Sequence, residues 1–314
     1  MHKHDNTIIV HKGALGDFFL AWPAIWRIRQ ALSGTETFWH GRRDRLPWLA
    51  PLGIRPCPAP LATAVDSLCS ARSWPEPLAR SLVVWPGLGA PPGPGDSRLL
   101  YLQGLRPGEQ ERFAPVCLSY LRDLDEKGVR RAGDWRAGWR QALPCWGGPE
   151  GKSLALLFPG AGHRLKEWPL VKFFELAARL ENSGLSPLFV LGPAEVERGL
   201  DTGGWPQVRL EDPGTLQDLL LTARLAVGND SGPMHMAGML GVPAVAIFGP
   251  TSRRQWASEG VIALAAPREA APCRPCTRST HGLACADPIC LRAVSVDMAA
   301  TAVDRALAAV SRPS

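Results

Sequence analysis

What is scarce in this 314-residue chain closes several classes of function. No window approaches the roughly 18 uncharged apolar residues that cross a bilayer, so no transmembrane helix is expected. The opening stretch, MHKHDNTIIV, lacks the apolar run of a secretion signal and enters a strand at once, so the expected location is cytoplasmic. There is no RNP-like strand, zinc-finger helix or long basic helix, and no nucleic-acid partner is expected. Charged residues are only 20% against 46% hydrophobic, which excludes a disordered chain and leaves material for packed cores. The net charge of +6 fits an anionic partner such as a membrane surface or a phosphorylated glycolipid.

The length calls for two domains. Thr7–Val10 reads as a buried strand, HKGALGD as a glycine-bearing loop, and Phe18–Leu32 as a helix with Phe19, Trp22, Ile25, Trp26 and Ile28 on one side. From residue 33 to 150 the pattern is broken by Pro, Gly, Arg and Trp. Ser81–Trp85 is one strand there, and residues 113–127 and 134–143 are helical. CWGGPEGK at 145–152 reads as a linker. Beyond it, strands at Leu154–Phe158, Pro187–Leu191, Leu225–Val227 and Ala244–Phe248 alternate with helices at Pro169–Ser183, Leu216–Thr222, from Pro233, and Asp297–Ala309. Alternation of this kind predicts α/β architecture with parallel, doubly wound sheets. The expected division is 1–148 and 149–314, two Rossmann-like domains facing across a cleft, with the last helix packing back on the first.

Three turns carry the chemistry. LAVGNDSGPMHMAGMLGVPAVAIFGPT, residues 225–251, runs strand, polar turn, helix, strand. A helix starting just after a strand presents unpaired N–H groups and a positive dipole end. Asp230, Ser231, Gly232 and His235 lie where a phosphate would sit. A Ser-His-Asp hydrolase is a poor reading, since Ser231 lacks a G-x-S-x-G elbow and adjoins Asp230. PGAGHRLKEWP, 159–169, is a second strand-to-helix loop. Gly160 and Gly162 allow close backbone approach, His163 lies between them and the helix, and Lys166 adds a cation for a diphosphate; the spacing is not that of a Walker loop. The alternative is a plain glycine-rich turn with a solvated lysine. In LGD, Gly16 is expected to turn the chain after the first strand. Asp17 is either a helix-capping aspartate or a base that takes a proton from an attacking hydroxyl. Glu195, in GPAEVE, is either a ribose contact or a first-turn glutamate favoured by the helix dipole.

Two clusters stay open. Cys273, Cys276, Cys285 and Cys290 can form a tetrahedral zinc site, pair as disulfides or remain free thiols; a cytosolic setting disfavours disulfides. VRRAGDWRAGWR holds Arg130, Arg131, Arg136 and Arg140 with Trp135 and Trp139 four apart. It reads as a helix with a core face and a basic face, or as a dock for an anionic membrane. Arg42, Arg43 and Arg45 form a second basic group, a candidate for an acceptor phosphate.

Together GALGDFFLAWPAIWRIR, FPGAGHRLKEWP, GNDSGPMHMAGMLGVPAVAIFGPT and CRPC, in that order, resemble glycosyltransferase family 9, the ADP-heptose lipopolysaccharide heptosyltransferases. The resemblance spans most of residues 7–300 and is weakest over 45–145. It implies a GT-B fold and an inverting transfer from ADP-heptose to the lipopolysaccharide inner core, with no cofactor in catalysis. It also implies peripheral contact with the inner membrane face. In that reading Asp17 is the base, Lys166 contacts the diphosphate, Asp230, Ser231, Gly232 and His235 form the phosphate turn, and Glu195 meets the ribose, with Glu197 its rival. The segment before Asn229 is about one helical turn shorter than the family pattern. This leaves adenine contacts near Pro213–Leu216 open, and with them the donor. The alternatives are a transferase with another nucleotide sugar and a non-catalytic nucleotide-sugar-binding protein.

Overall fold

The computed structural model describes residues 4–106, 114–130, 133–276 and 283–309. The chain divides into two compact units, Met1–Leu143 and Pro144–Ser314. The break falls at the start of the Trp- and Gly-bearing stretch read as a linker.

In the first unit the order is β1 (Asn6–His11), α1 (Leu15–Ala31), β2 (Glu36–Gly41), α2 (Leu46–Leu49), β3 (Ile54–Pro56), α3 (Ala59–Ser67), β4 (Ser81–Gly87), β5 (Leu99–Gln103), α4 (Val116–Glu126) and α5 (Trp135–Ala142). All pairings are parallel, in the order β3-β2-β1-β4-β5. Strands β2, β3 and β5 and helix α3 were not expected from sequence. They are short: β3 buries one residue of three, β2 three of six, and β5 alternates buried and half-buried residues over only five positions, so none offers a long apolar run to detect. The apolar residues of α1 are not confined to one side. Phe18 through Ile28 are all buried, because the sheet covers one face and α4 and α5 cover another.

In the second unit β6 (Leu154–Phe158), α6 (Leu170–Asn182), β7 (Ser186–Leu191), α7 (Pro193–Glu197), β8 (Gln207–Arg209), α8 (Pro213–Thr222), β9 (Leu225–Asn229), α9 (Gly232–Leu240), β10 (Ala244–Phe248), α10 (Arg253–Trp256), β11 (Val261–Ala265), α11 (Ile289–Arg292) and α12 (Val296–Ala309) follow one another. The six parallel strands lie in the order β11-β10-β9-β6-β7-β8. Strands β6 and β10 are apolar throughout and β9 is apolar up to Gly228; they lie at the centre of a doubly wound sheet, hence the continuous hydrophobic runs in the sequence. Helix α12 packs on α6 and on strands β9 to β11 of its own unit. The α/β reading with parallel, doubly wound sheets holds in both units.

Both sheets reverse their winding at one place: between β1 and β4 in the first, between β6 and β9 in the second. Chains leaving the carboxyl ends of the two central strands diverge there and open a crevice, the usual ligand position in such sheets. Phe158 and Gly228 are paired across β6 and β9, so the loops beginning at Pro159 and Asp230 emerge side by side.

Candidate active site

At the second crevice Asn229 joins the two loops. Its side-chain carbonyl accepts from the Trp168 N–H at 2.8 Å, and its amide donates to the Pro159 carbonyl at 2.7 Å. The residue is fully buried. It therefore holds loop 159–168 against the end of β9, and Trp168 anchors the far end of the loop through its indole, 3.0 Å from the Val294 carbonyl.

On this frame Asp230 is 4% exposed. Its carboxylate receives Lys166 Nζ at 2.7 Å and the Thr251 hydroxyl at 2.8 Å, and stands 3.9 Å from His235 Nε2. Lys166, expected to stand free for a diphosphate, is thus paired within the site. His235 lies inside α9, 5% exposed. Burial, and then the charge of Lys166, push its pKa down to about 4 against the pull of Asp230, so the ring is neutral near pH 7. Its Nδ1 and the buried Ser231 Oγ have no hydrogen-bond partner among the described residues. Ser231 is the residue before the first helical turn, in extended backbone, yet its hydroxyl caps nothing. Helix α9 begins at Gly232, one residue before the proline from which it was read.

A second group adjoins this one. Glu195, the third residue of α7, accepts from the Gly192 N–H at 3.0 Å and pairs with Arg198 at 3.2 Å. Arg198 also pairs with Glu167 at 2.8 Å. A Cβ at Gly160 would lie 2.0 Å from Glu195 Oε1, so the close approach that this glycine permits is to the protein's own carboxylate. At Gly162 nothing lies within reach of a Cβ. His163 accepts from the Leu165 N–H through Nδ1 at 3.2 Å and shapes the turn carrying Lys166. Sequence reasoning brought together Lys166, Asp230, Ser231 and His235, and separately Gly160 and Glu195. It missed Thr251, Glu167 and Arg198, and it left Asn229 without a role. Thr251 and Glu167 were visible only as polar residues beside motifs already noticed.

In the first unit Asp17 is the third residue of α1, not its cap. Its Oδ2 accepts from the Ala14 N–H at 3.1 Å. Gly16 lies inside the helix rather than in the turn; the crowded glycine is Gly13, where a Cβ would lie 2.9 Å from both Asp17 Cβ and His11 Cε1. His11 is buried, stacked on Trp39 with centroids 6.1 Å apart. Burial and then the Arg45 charge push its pKa down to about 4, opposed by a hydrogen bond with the Asp17 backbone. Arg45 itself is buried, 5.9 Å from the Phe18 ring centroid, and so is a packing residue rather than a surface phosphate ligand. Arg42, by contrast, is exposed and paired with Asp44 at 2.8 Å.

The four clustered cysteines carry free thiols. Cys276, hydrogen-bonded to Cys273, is pushed up to about 11 by burial and by the other three thiols. Among the described residues no three His, Cys, Asp or Glu side chains are arranged to hold a metal ion. In the basic–aromatic stretch Trp139 is buried, Trp135 half-buried, and Arg131 lies outside the described residues. No described helix is long and apolar enough to cross a membrane.

Residues 131–284 match the family model described as glycosyltransferase family 9 (heptosyltransferase). No curated protein sequence matches the chain. Among solved structures, the E. coli heptosyltransferase WaaC with ADP has a TM-score of 0.62 at 15% identity, covering 96% of this chain and 99% of that one. The E. coli ADP-heptose lipopolysaccharide heptosyltransferase II scores 0.60 at 14% identity, covering 98% and 100%. A family 9 glycosyltransferase from Veillonella parvula scores 0.65 at 15% identity, covering 98% and 99%. At these identities the likeness establishes the fold, that of the GT-B heptosyltransferases. With the motifs, the family match and the fold in agreement, the chain is a glycosyltransferase whose residues 131–284 carry a glycosyltransferase family 9 domain.

Proposed function

We propose that the protein transfers a heptose from ADP-heptose to a hydroxyl of the lipopolysaccharide inner core, with inversion, at the inner face of the membrane in the cytoplasm. The observation that carries the donor half is the buried Lys166–Asp230 pair at the start of α9, beside an unpartnered Ser231 hydroxyl and His235 ring nitrogen. Lysine keeps two further N–H donors once Asp230 has taken one. With the backbone N–H groups at the start of α9, these supply the positive field that a departing diphosphate needs. Two of the solved neighbours are described as holding ADP and an ADP-linked fluoroheptose, which fits that donor.

In this reading Gly160, Gly162 and His163 line the donor's path and Glu195 meets the ribose, exchanging its contact with Arg198. The acceptor oxygen attacks the anomeric carbon, Asp17 takes its proton, the sugar–phosphate bond breaks, and ADP leaves with the electron pair. No step calls on a cofactor. A structural zinc at Cys273, Cys276, Cys285 and Cys290 is a separate, finer proposal, supported by their spacing and by the Cys273–Cys276 contact; metal analysis of purified protein should find one zinc per chain, and its absence would end the idea.

The test of the main reading is ADP release from ADP-heptose with a panel of truncated core lipids, for the wild type and Asp17→Ala. Release that needs acceptor and collapses in the variant is expected. Silence with every acceptor, while ADP still raises the melting temperature, would sink it. The shortened segment before Asn229 favours one second reading, a different nucleotide-sugar donor. A thermal-shift panel of nucleoside diphosphates separates the two, since the true donor stabilises in proportion to its concentration.

A further inference from the structure

Tyr120 of the first unit has no part in the chemistry above, yet it stands at the crevice that Asp17 faces. Strands β4 and β5 end side by side at Gly87 and Gln103, next to the winding reversal. The Gly104 N–H carries their ladder one step further by donating to the Gly87 carbonyl at 2.8 Å. Each of these two glycines leaves room for a tyrosine. A Cβ at Gly87 would collide with the Tyr101 hydroxyl, and a Cβ at Gly104 would lie 2.8 Å from Tyr120 Oη and 2.9 Å from Leu88 Cδ2. The two phenols are not alike. Tyr101 is half-buried, and its hydroxyl donates to the Gly89 carbonyl at 2.7 Å, so it ties down the loop after β4. Tyr120 is 1% exposed, and its hydroxyl is in no hydrogen bond among the described residues. Leaving a buried hydroxyl unpaired is costly, so this one calls for a partner from outside the protein.

The hydroxyl is held in place by its own helix. Asp123, three residues on and on the same face of α4, accepts from the Gln103 N–H and so seats the helix on the end of β5. Arg106 pairs with the same carboxylate. Arg27 of α1 pairs with Asp125 at 2.7 Å and donates to the Leu121 carbonyl at 3.3 Å, which holds α4 against α1. Asp17 stands in the first turn of that α1. After burial, the Asp17 charge is what holds the Tyr120 phenol above its ordinary pKa, so the two groups are within electrostatic reach and the phenol keeps its proton. The crevice thus carries a carboxylate that can take a proton beside a neutral phenol that can both give and accept a hydrogen bond. A carboxylate repels a phosphate, whereas this pair matches two neighbouring hydroxyls.

We propose that Tyr120 is an acceptor-binding residue: the acceptor is a sugar with two adjacent hydroxyls, one giving its proton to Asp17 and the other hydrogen-bonded to Tyr120 Oη. The inference rests on the reading of Asp17 as the base. It narrows the acceptor to sugars whose reacting hydroxyl has a free hydroxyl beside it. Holding the sugar at two points fixes which hydroxyl meets the base. A site that pairs a substrate hydroxyl also turns away the sugar that lacks it.

The test compares the wild type with Tyr120→Phe and Tyr101→Phe. With ADP-heptose and the truncated core lipids, Tyr120→Phe should raise the acceptor KM about tenfold, while kcat stays within about threefold and the donor KM is unmoved. An acceptor lacking the neighbouring hydroxyl should lose the same factor with the wild type and nothing more with Tyr120→Phe. Tyr120→Phe should melt no lower than the wild type, because it removes an unpaired hydroxyl. Tyr101→Phe should melt lower and bind acceptor normally. Saturation-transfer NMR with deacylated core oligosaccharide reads acceptor binding whether or not transfer follows. Binding by the wild type that Tyr120→Phe loses, with no transfer by either, would sink the transferase reading and keep the diol site. No binding by the wild type, unchanged acceptor KM and NMR signal in Tyr120→Phe, or a Tyr120→Phe that melts below the wild type, overturns the proposal.

Discussion

Asp230 and Asp17 each follow a central strand of a parallel sheet, beside the point where the winding reverses, yet their surroundings differ. Asp230 is 4% exposed and spoken for by Lys166 and Thr251, on a loop pair stapled by Asn229. Asp17 is half-buried on the first turn of a long helix whose other residues are occupied with aromatic packing, Phe18 and Phe19 against Trp48 and Trp139. A carboxylate gripped by a cation and a hydroxyl is built to hold an arrangement. One that is half-buried at the mouth of a crevice and accepts the Ala14 N–H is placed where an incoming hydroxyl could reach it. The difference is consistent with the proposed division of labour, binding in the second unit and proton transfer in the first.

The largest effect should come from Asp17→Asn: kcat falls about a hundredfold to ten-thousandfold, while ADP affinity, read by thermal shift, stays within about twofold. An equal loss of ADP binding would erase the contrast between the units. Next is Lys166→Met. It leaves Asp230 buried with only Thr251 and should cost about 3 kcal/mol in urea unfolding besides raising the donor KM. If stability holds and KM alone rises, Lys166 serves the ligand and not the frame.

Each unit also holds one buried neutral histidine, His11 and His235, both with pKa about 4. Unfolded, each titrates near 6.5. Between pH 6.5 and 4 the unfolded chain therefore binds more protons, and stability should fall as pH falls, by about 3 kcal/mol for each at the low end. His11→Gln should remove the slope from the first unit alone, which unit-specific proteolysis can follow. A slope unaltered in His11→Gln, and likewise in His235→Gln for the second unit, would mean that neither ring is neutral in the fold. The smallest effect is Arg179→Ala, which breaks an exposed pair with Asp297 and should cost less than about 0.5 kcal/mol.

The same contrast governs what could be read in advance. Four of the second unit's six strands were legible, because β6, β7, β9 and β10 are mostly buried and read as apolar runs beside glycine-bearing turns, whereas the three-residue β8 and the half-buried β11 were not expected. Its site was legible too, since Asp230 to His235 are neighbours in sequence. Thr251 escaped notice because it reaches Asp230 from the end of the adjoining strand, a relation that register alone reveals. In the first unit β3 is three residues long and α3 opens among prolines, so neither has a period to detect. Asp17 was read as either a cap or a base; it bonds the helix's first N–H from the third helical position rather than from the cap itself, and the two placements look alike in sequence. Trp135 and Trp139 share a helix spacing, but one is half-buried and the other core; only packing tells them apart.

Gly160 has a bearing on how the donor pocket could be remodelled. Its missing side chain is the space that the Glu195 carboxylate fills. Any larger residue at position 160 must evict Glu195 without altering it, and with it the Arg198–Glu167 chain behind. An engineer or a lineage changing nucleotide preference has two routes to the same vacancy: a change at Glu195 itself, or a single methyl group at position 160, one loop away from the residue it displaces.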